Sequence, residues 1–498
     1  MNMSARQRRC DFDEEDRISG LPDAILIHIL SLLPLTDARN IILIRIFYKL
    51  WPFIHTLTFD QCMFPWHNCH YYSRAGRIDY EERFLNFVRH VLLRNKSPTL
   101  DKFCLNFHFS LTHSIRKRVY NRTNGWLCDF LRNEKRMANE IGTWIQFALN
   151  KNLKVLELSF SAYGTFQPQT YYDLPNWVLS SPHLVELRLA FCKINTKKKS
   201  ELKSLTTFSL DNVMLMEQSM DYILSGCPML EQLTLLFCYG HRRVVLLNSN
   251  LKRLVLGIRW FGTRIHVSCP TLLSLHMSGT VEVLDITNVA SIVEASVYRK
   301  EKFDFREYKD YQEMRIFFQT ITGAKSLDLT SWFALVFSSW QLTNLPSPTF
   351  SCKSLHLQLD FEKWHLPGIL NLLKHCPCLE NLIIKITSYH ESTSLDKLSW
   401  IHPYEFDADA YWSMVDIPVQ CLTHHLKTVE VAGLVMEKQV IRFLEYLLGH
   451  SMMLKQMKIL AEKKIYGSIS LISDKAHEYE ERLMNAPKAS ASAVVFFY

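Results

Sequence analysis

One spacing dominates the middle of this 498-residue chain and limits what it can fold into: L-x-x-L-x-L. It appears at Leu153, Leu156 and Leu158, then at Leu184, Leu187 and Leu189. Leu205, Phe208 and Leu210 follow, then Leu230, Leu233 and Leu235, then Leu251, Leu254 and Leu256, then Leu272, Leu275 and Met277. Further copies start at Ala324, Cys352, Leu379 and Leu426, and several intervals between copies are 21 to 28 residues. Alternation within the L-x-L half is the period of a strand with one face buried. A repeat of this length cannot bury its own apolar face, so stacked copies must build a shared core. Parallel strands, one per repeat, are the expected outcome.

The connecting segments agree. VLSSPHL, ILSGCPML and LLKHCPCL read as short helical runs ended by proline, and HVSCPTL as a strand-like variant. Proline cannot continue a helix and disfavours helix at the residue before it, so it turns the chain into the next strand. Cys227, Cys269 and Cys376 occupy equivalent places in these turns. Small, weakly polar residues buried under the turns explain them better than metal or redox chemistry. With leucines inward, the alternate residues face solvent. Glu157, Glu186, Arg188, Gln232, Thr234, Arg253 and His276 then lie on the concave strand face, the usual binding surface of a solenoid. Their mixed charge points to a protein or peptide ligand rather than a polyanion.

The N-terminal part follows another rule. Ala24–Leu35 is an apolar run far shorter than a membrane span, preceded by the acidic DFDEED, which does not suit a signal peptide. Leu21-Pro22-Asp23 suits a helix start, and Ile25, Leu26, Ile29, Leu30 and Leu33 follow at helical spacing until Pro34. Thr36-Asp37 can cap a second helix running towards Leu50-Trp51. A helical unit of about forty residues is marginal alone, so its surplus apolar surface needs a partner. Thirteen cysteines without an export signal are expected to be reduced, in cytoplasm or nucleus.

Chemistry leaves little trace. CMFPWHNCH (62–70) is the one metal candidate, but adjacent Cys69-His70 suit tetrahedral ligation poorly. HPYEFDADAYW (402–412) offers no spaced acid–base pair, and phosphate-loop, dinucleotide and nucleophile-elbow motifs are absent. The basic runs RQRR (6–9) and NTKKKS (195–200) lack interleaved aromatics, and a formal charge of +8 is modest for this length. No enzyme, cofactor, metal, membrane or nucleic-acid role is expected.

RISGLPDAILIHILSLLPLTDA resembles the opening of a plant F-box, with the D-R-I-S-x-L-P-D pattern nearly complete from Asp16 to Pro34. CLTHHLKTVEVAG (421–433), MLKQMKIL (453–460) and PKASASAVVFF (487–497) resemble the FBD module that ends a large plant family. The resemblance implies an α/β fold: an N-terminal helical F-box, then a curved leucine-rich-repeat solenoid with a parallel sheet on the concave face and helices on the convex face, then an FBD module. The corresponding divisions are 1–15 disordered, 16–60 F-box, 61–150 irregular capping repeats, 151–400 leucine-rich repeats and 401–498 FBD. It also implies a non-catalytic substrate-recognition subunit of a Skp–cullin–F-box ubiquitin ligase. Leu21, Pro22, Ile25, Leu26, Ile29, Leu30, Pro34, Leu50 and Trp51 would contact a Skp-type adaptor, and through it a cullin, or form the F-box core. The repeats would hold a target protein. Where the family carries L-S-K-R-W-R-x-L-W, this chain has IRIFYKLW (44–51), so a protein-binding scaffold with a diverged F-box is the alternative.

Overall fold

A computed structural model describes residues 20–33, 35, 45–62, 74–107, 125–160, 171–216, 218–240, 243–258, 264–279, 283–287, 289, 292–298, 308–387, 407, 411–412, 415, 419–435, 437–461 and 469–498. The first fifteen residues, Pro34 and most of the 62–70 and 402–412 segments lie outside them. The chain divides into two compact units, 1–227 and 228–498.

In the first unit, helices α1 (Asp23–Leu32) and α2 (Arg45–Leu50) precede strand β1 (Thr56–Asp60). Helix α3 (Arg74–Arg94), strand β2 (Lys102–Asn106), helix α4 (Gly125–Leu149) and strand β3 (Val155–Ser159) follow. Next come β4 (Tyr172–Asp173), β5 (Glu186–Ala190), β6 (Cys192–Ile194), β7 (Thr207–Asp211), β8 (Met214–Leu215) and helix α5 (Ser219–Leu224). Strands β1, β2, β3, β5 and β7 pair in parallel, one per repeat. The register stacks like on like: Leu57 on Phe103, Phe103 on Leu156, Leu156 on Leu187, and Leu187 on Phe208. All five are buried. Burying one such side chain stabilises by roughly 1.5–3 kcal/mol, and that is why a spacing defined by leucine also accepts phenylalanine.

The ladder therefore starts earlier than the first clear leucine triplet. Ile54, Leu57 and Phe59 already hold the same spacing, and all three are buried. Helix α3 is amphipathic, with Phe84, Leu85, Val88, Val91 and Leu92 inward. Arg89 on α3 donates from Nη2 to Glu140 Oε2 on α4 at 2.8 Å, and the neighbouring Nε pairs with Oε1.

The second unit contains β9 (Gln232–Leu236), β10 (Arg243–Leu247), β11 (Arg253–Ile258), β12 (Arg264–Ser268), β13 (Ser274–Gly279), β14 (Val283–Thr287) and β15 (Glu294–Tyr298). Helix α6 (Tyr308–Ile321), β16 (Ser326–Thr330), α7 (Ser331–Leu342), β17 (Ser354–Leu359) and α8 (Leu366–Lys374) follow. The unit closes with β18 (Asn381–Ile386), α9 (Gln420–His424), β19 (Thr428–Gly433), α10 (Lys438–His450), β20 (Gln456–Ala461), α11 (Ile469–Met484) and β21 (Val494–Phe497). Ten strands, β9, β11, β13 and β15 to β21, form parallel neighbours in that order. β15 pairs directly with β16, so the array is continuous across the stretch where leucines thin out. Short strands β10, β12 and β14 form a separate row, as the strand-like HVSCPTL suggests.

From β16 onward helices replace that row. Helix α7 is buried from Trp332 to Trp340. Phe318 on α6 meets Phe333, Phe337 and Trp340 nearly edge-on at 5.2–5.5 Å between ring centroids, a favoured aromatic geometry. Helices α7 and α8 approach closely because residue 368 is glycine. A Cβ there would lie 1.7 Å from the Ala334 carbonyl oxygen. Ser338 completes the joint, donating to the Trp364 carbonyl and accepting from the Gly368 amide, both at 2.6 Å.

The turn cysteines behave as packing residues. Cys227, Cys269 and Cys376 are buried. Burial pushes the Cys227 thiol up to about 11, and that thiol donates to the Ile223 carbonyl.

Candidate functional site

Helix α1 begins where proline and aspartate allow: the Pro22 carbonyl accepts the Leu26 amide, and Asp23 sits in the positive first turn. It ends at Leu32, with Leu33 extended ahead of proline. The helix has two apolar stripes. Leu26 and Leu30 are fully buried against α2, the Trp51–Phe53 turn and β1. On the other side Ile25 is 46% exposed and Leu32 72%, with Ile29 half-buried between them. Tyr48 and Phe53, in the segments packed against α1, are exposed as well.

This division sorts the residues that the resemblance assigns to adaptor contact or to the F-box core. Leu26, Leu30, Leu50 and Trp51 are buried within the chain and form the core of the helical unit. Their methyl groups and rings are already covered, so they do not offer a docking surface. Pro22 and Ile25 are exposed, Leu21 and Ile29 are half-buried, and Pro34 lies outside the described residues. The exposed Leu32, Tyr48 and Phe53 were not singled out in the sequence; the second apolar stripe of α1 was the signal for Leu32, and Tyr48 and Phe53, which lie outside that helix, had none.

The predicted strand-face residues all face solvent. In the first unit Glu157 stands beside Arg188 in register, and Glu186 pairs with the Arg188 guanidinium. Lys102, not foreseen, reaches Glu157 at 2.9 Å. In the second unit Gln232 and Arg253 are register partners and exposed, while Thr234 and His276 flank Val255 and are half-buried. Desolvation lowers the His276 pKa, and its ring lies 5.0 Å from that of Tyr298. The Tyr298 hydroxyl donates to Asp328. Much of the polar face thus consists of groups that satisfy one another.

No group of histidine, cysteine and carboxylate side chains that could hold a metal occurs among the described residues. Among them, no helix is long and apolar enough to cross a membrane.

A parallel strand per repeat, a leucine ladder behind it and helices on the return path define a leucine-rich-repeat protein. Comparison with known proteins is specific about the kind. Residues 141–297 match the family described as FBD-associated F-box protein At5g56370, LRR repeats, and residues 416–459 match FBD. The F-box/LRR-repeat protein At5g02910 of Arabidopsis thaliana is 23% identical over 81% of this chain and 79% of its own length. The F-box/LRR-repeat protein At3g03360 of the same plant is 25% identical over 74% and 70%, and At3g26922 is 30% identical over 44% and 59%. The chain thus carries a leucine-rich-repeat segment and an FBD segment of the kinds these two families describe, and it is similar over most of its length to plant F-box/LRR-repeat proteins.

Proposed function

We propose that this chain is the substrate-recognition subunit of a Skp–cullin–F-box ubiquitin ligase, working in cytoplasm or nucleus without catalytic residues of its own. The outer stripe of α1, Ile25, Ile29 and Leu32, docks the Skp-type adaptor. The solvent face of the strands receives the target protein. Such a subunit raises the effective concentration of target near the ubiquitin donor rather than lowering a chemical barrier.

The observation that carries this reading is the uncovered stripe on α1. A helix so short buries Leu26 and Leu30 yet leaves three large aliphatic side chains wholly or partly in water. The relatives carry F-box in their names, and the sequence from Asp16 to Pro34 follows the F-box pattern. Affinity purification of the intact protein from plant cells, followed by mass spectrometry, tests the assignment. Co-purification of a Skp-type adaptor and a cullin is expected. Their absence would instead favour a scaffold whose repeats bind proteins outside any ligase.

A further inference from the structure

We propose that two copies of this chain associate through β21, strand edge to strand edge, antiparallel, about a two-fold axis passing near Phe496. The inference does not depend on the ligase reading.

Strand β21 pairs on one side with β20. The Val494 and Tyr498 amides donate to the Lys455 and Ile459 carbonyls at 3.0 and 2.9 Å. With the two-residue period of a strand, the amides and carbonyls of Val495 and Phe497 point the other way. Among the described residues no strand lies on that side. An open row of main-chain donors and acceptors is a template for another strand, and proteins usually blunt it with charge, proline or a bulge. Residues 493–498, AVVFFY, contain neither a charged residue nor proline.

The solvent-side residues of the edge strand itself are apolar, with Gln456 and Lys458 of β20 in register beside Val494 and Phe496. Val494 is 51% exposed, Phe496 37% and Tyr498 66%, and Leu460 on β20 is exposed next to them. The Phe496 and Tyr498 rings lie nearly parallel, 11° apart in plane and 6.4 Å between centroids.

A second copy fits these features because the edge is complementary to itself. Antiparallel pairing centred on Phe496 sets Val495 opposite Phe497 of the other copy, twice, as hydrogen-bonded pairs. That gives about four main-chain bonds. Phe496 then faces its own counterpart at the closely spaced, non-hydrogen-bonded position, and Val494 faces Tyr498. Aromatic and β-branched cross-strand pairs are stabilising. No like charges face each other across the paired edge, because Lys458, in register with Phe496, lies one strand back and roughly 14 Å from its counterpart, three strand spacings away. The contact is confined to one short strand, so the dimer is a weak one.

Sedimentation equilibrium of the full chain, from about 1 to 100 µM, tests this directly. A reversible monomer–dimer equilibrium is expected. Phe496→Lys and Phe496→Glu, each checked for native circular dichroism, should weaken self-association at least tenfold, and an equimolar mixture of the two should restore it. Met229→Lys, at an exposed position away from β21, should change nothing. A chain that stays monomeric at 100 µM overturns the proposal. So does a dimer indifferent to Phe496→Lys, or a mixture of the charged variants that fails to associate.

Discussion

The Ser31 hydroxyl accepts the His55 amide at 3.1 Å and donates to the Ile27 carbonyl at 2.8 Å. One oxygen thereby ties the helix that presents Ile25 and Leu32 to the residue leading into β1. The N-terminal helical unit is fixed to the first strand of its own repeat array rather than strung on a free linker. Ser31→Ala breaks that tie and leaves a half-buried amide without its partner, at a cost of about 1 kcal/mol. Hydrogen exchange should show faster exchange in α1 with little change in β3 or β5.

Gly368→Ala is expected to be among the most damaging single-methyl additions in the chain. The new Cβ would collide with the Ala334 backbone carbonyl, which cannot move without shifting α7 within a filled core. Overpacking of this kind costs about 1–3 kcal/mol or more, and thermal unfolding should occur several degrees lower. Gly323→Ala, where a Cβ meets nothing within 4 Å, is the matching control.

His365 makes the second unit sensitive to acid. It is buried, its Nδ1 accepts the Glu362 amide at 3.0 Å, and its Nε2 has no partner. Desolvation lowers its pKa from 6.5 to about 4. Between those values the unfolded chain holds the proton and the folded chain does not. The neutral imidazole's contribution is therefore fully present above about pH 6.5 and is lost as pH falls towards 4, about 3 kcal/mol in all. Urea midpoints measured across that range should fall in the wild-type chain. They should fall less in His365→Gln, which keeps an acceptor for the Glu362 amide.

Thiol labelling should separate the described cysteines by burial. Cys62 and Cys378 are exposed, whereas Cys192, Cys227, Cys269, Cys352, Cys376 and Cys421 are buried. Burial pushes the Cys421 thiol up to about 12, and the Cys192 thiol upward too, so the reactive thiolate is scarce at both. Mass mapping after brief alkylation of the native protein should find adducts at Cys62 and Cys378. The six buried positions should be modified after unfolding.

The repeat core was legible because its signal is redundant. Leu156, Leu187 and Phe208 occupy one ladder, so a single substitution does not hide it. β1 and β15 escaped the leucine pattern because Phe59, Ala295 and Val297 fill the same inward positions with other side chains. The exposed stripe of α1 was less legible for a physical reason. Ile25 and Leu26 are adjacent and equally apolar, and only the packing of α1 shows which one the chain covers. The same holds for Phe496, beside which no further strand lies beyond β21 among the described residues.

The most direct measurement is the affinity of the full chain for a purified Skp-type adaptor, wild type against Ile25→Asp, by calorimetry. Ile25 is exposed, so the variant should fold normally yet bind about 2 kcal/mol more weakly or worse, roughly thirtyfold. Leu93→Asp, at another exposed aliphatic position, should bind like wild type. Equal affinity of wild type and Ile25→Asp, or no binding by either, would contradict docking through the outer stripe of α1.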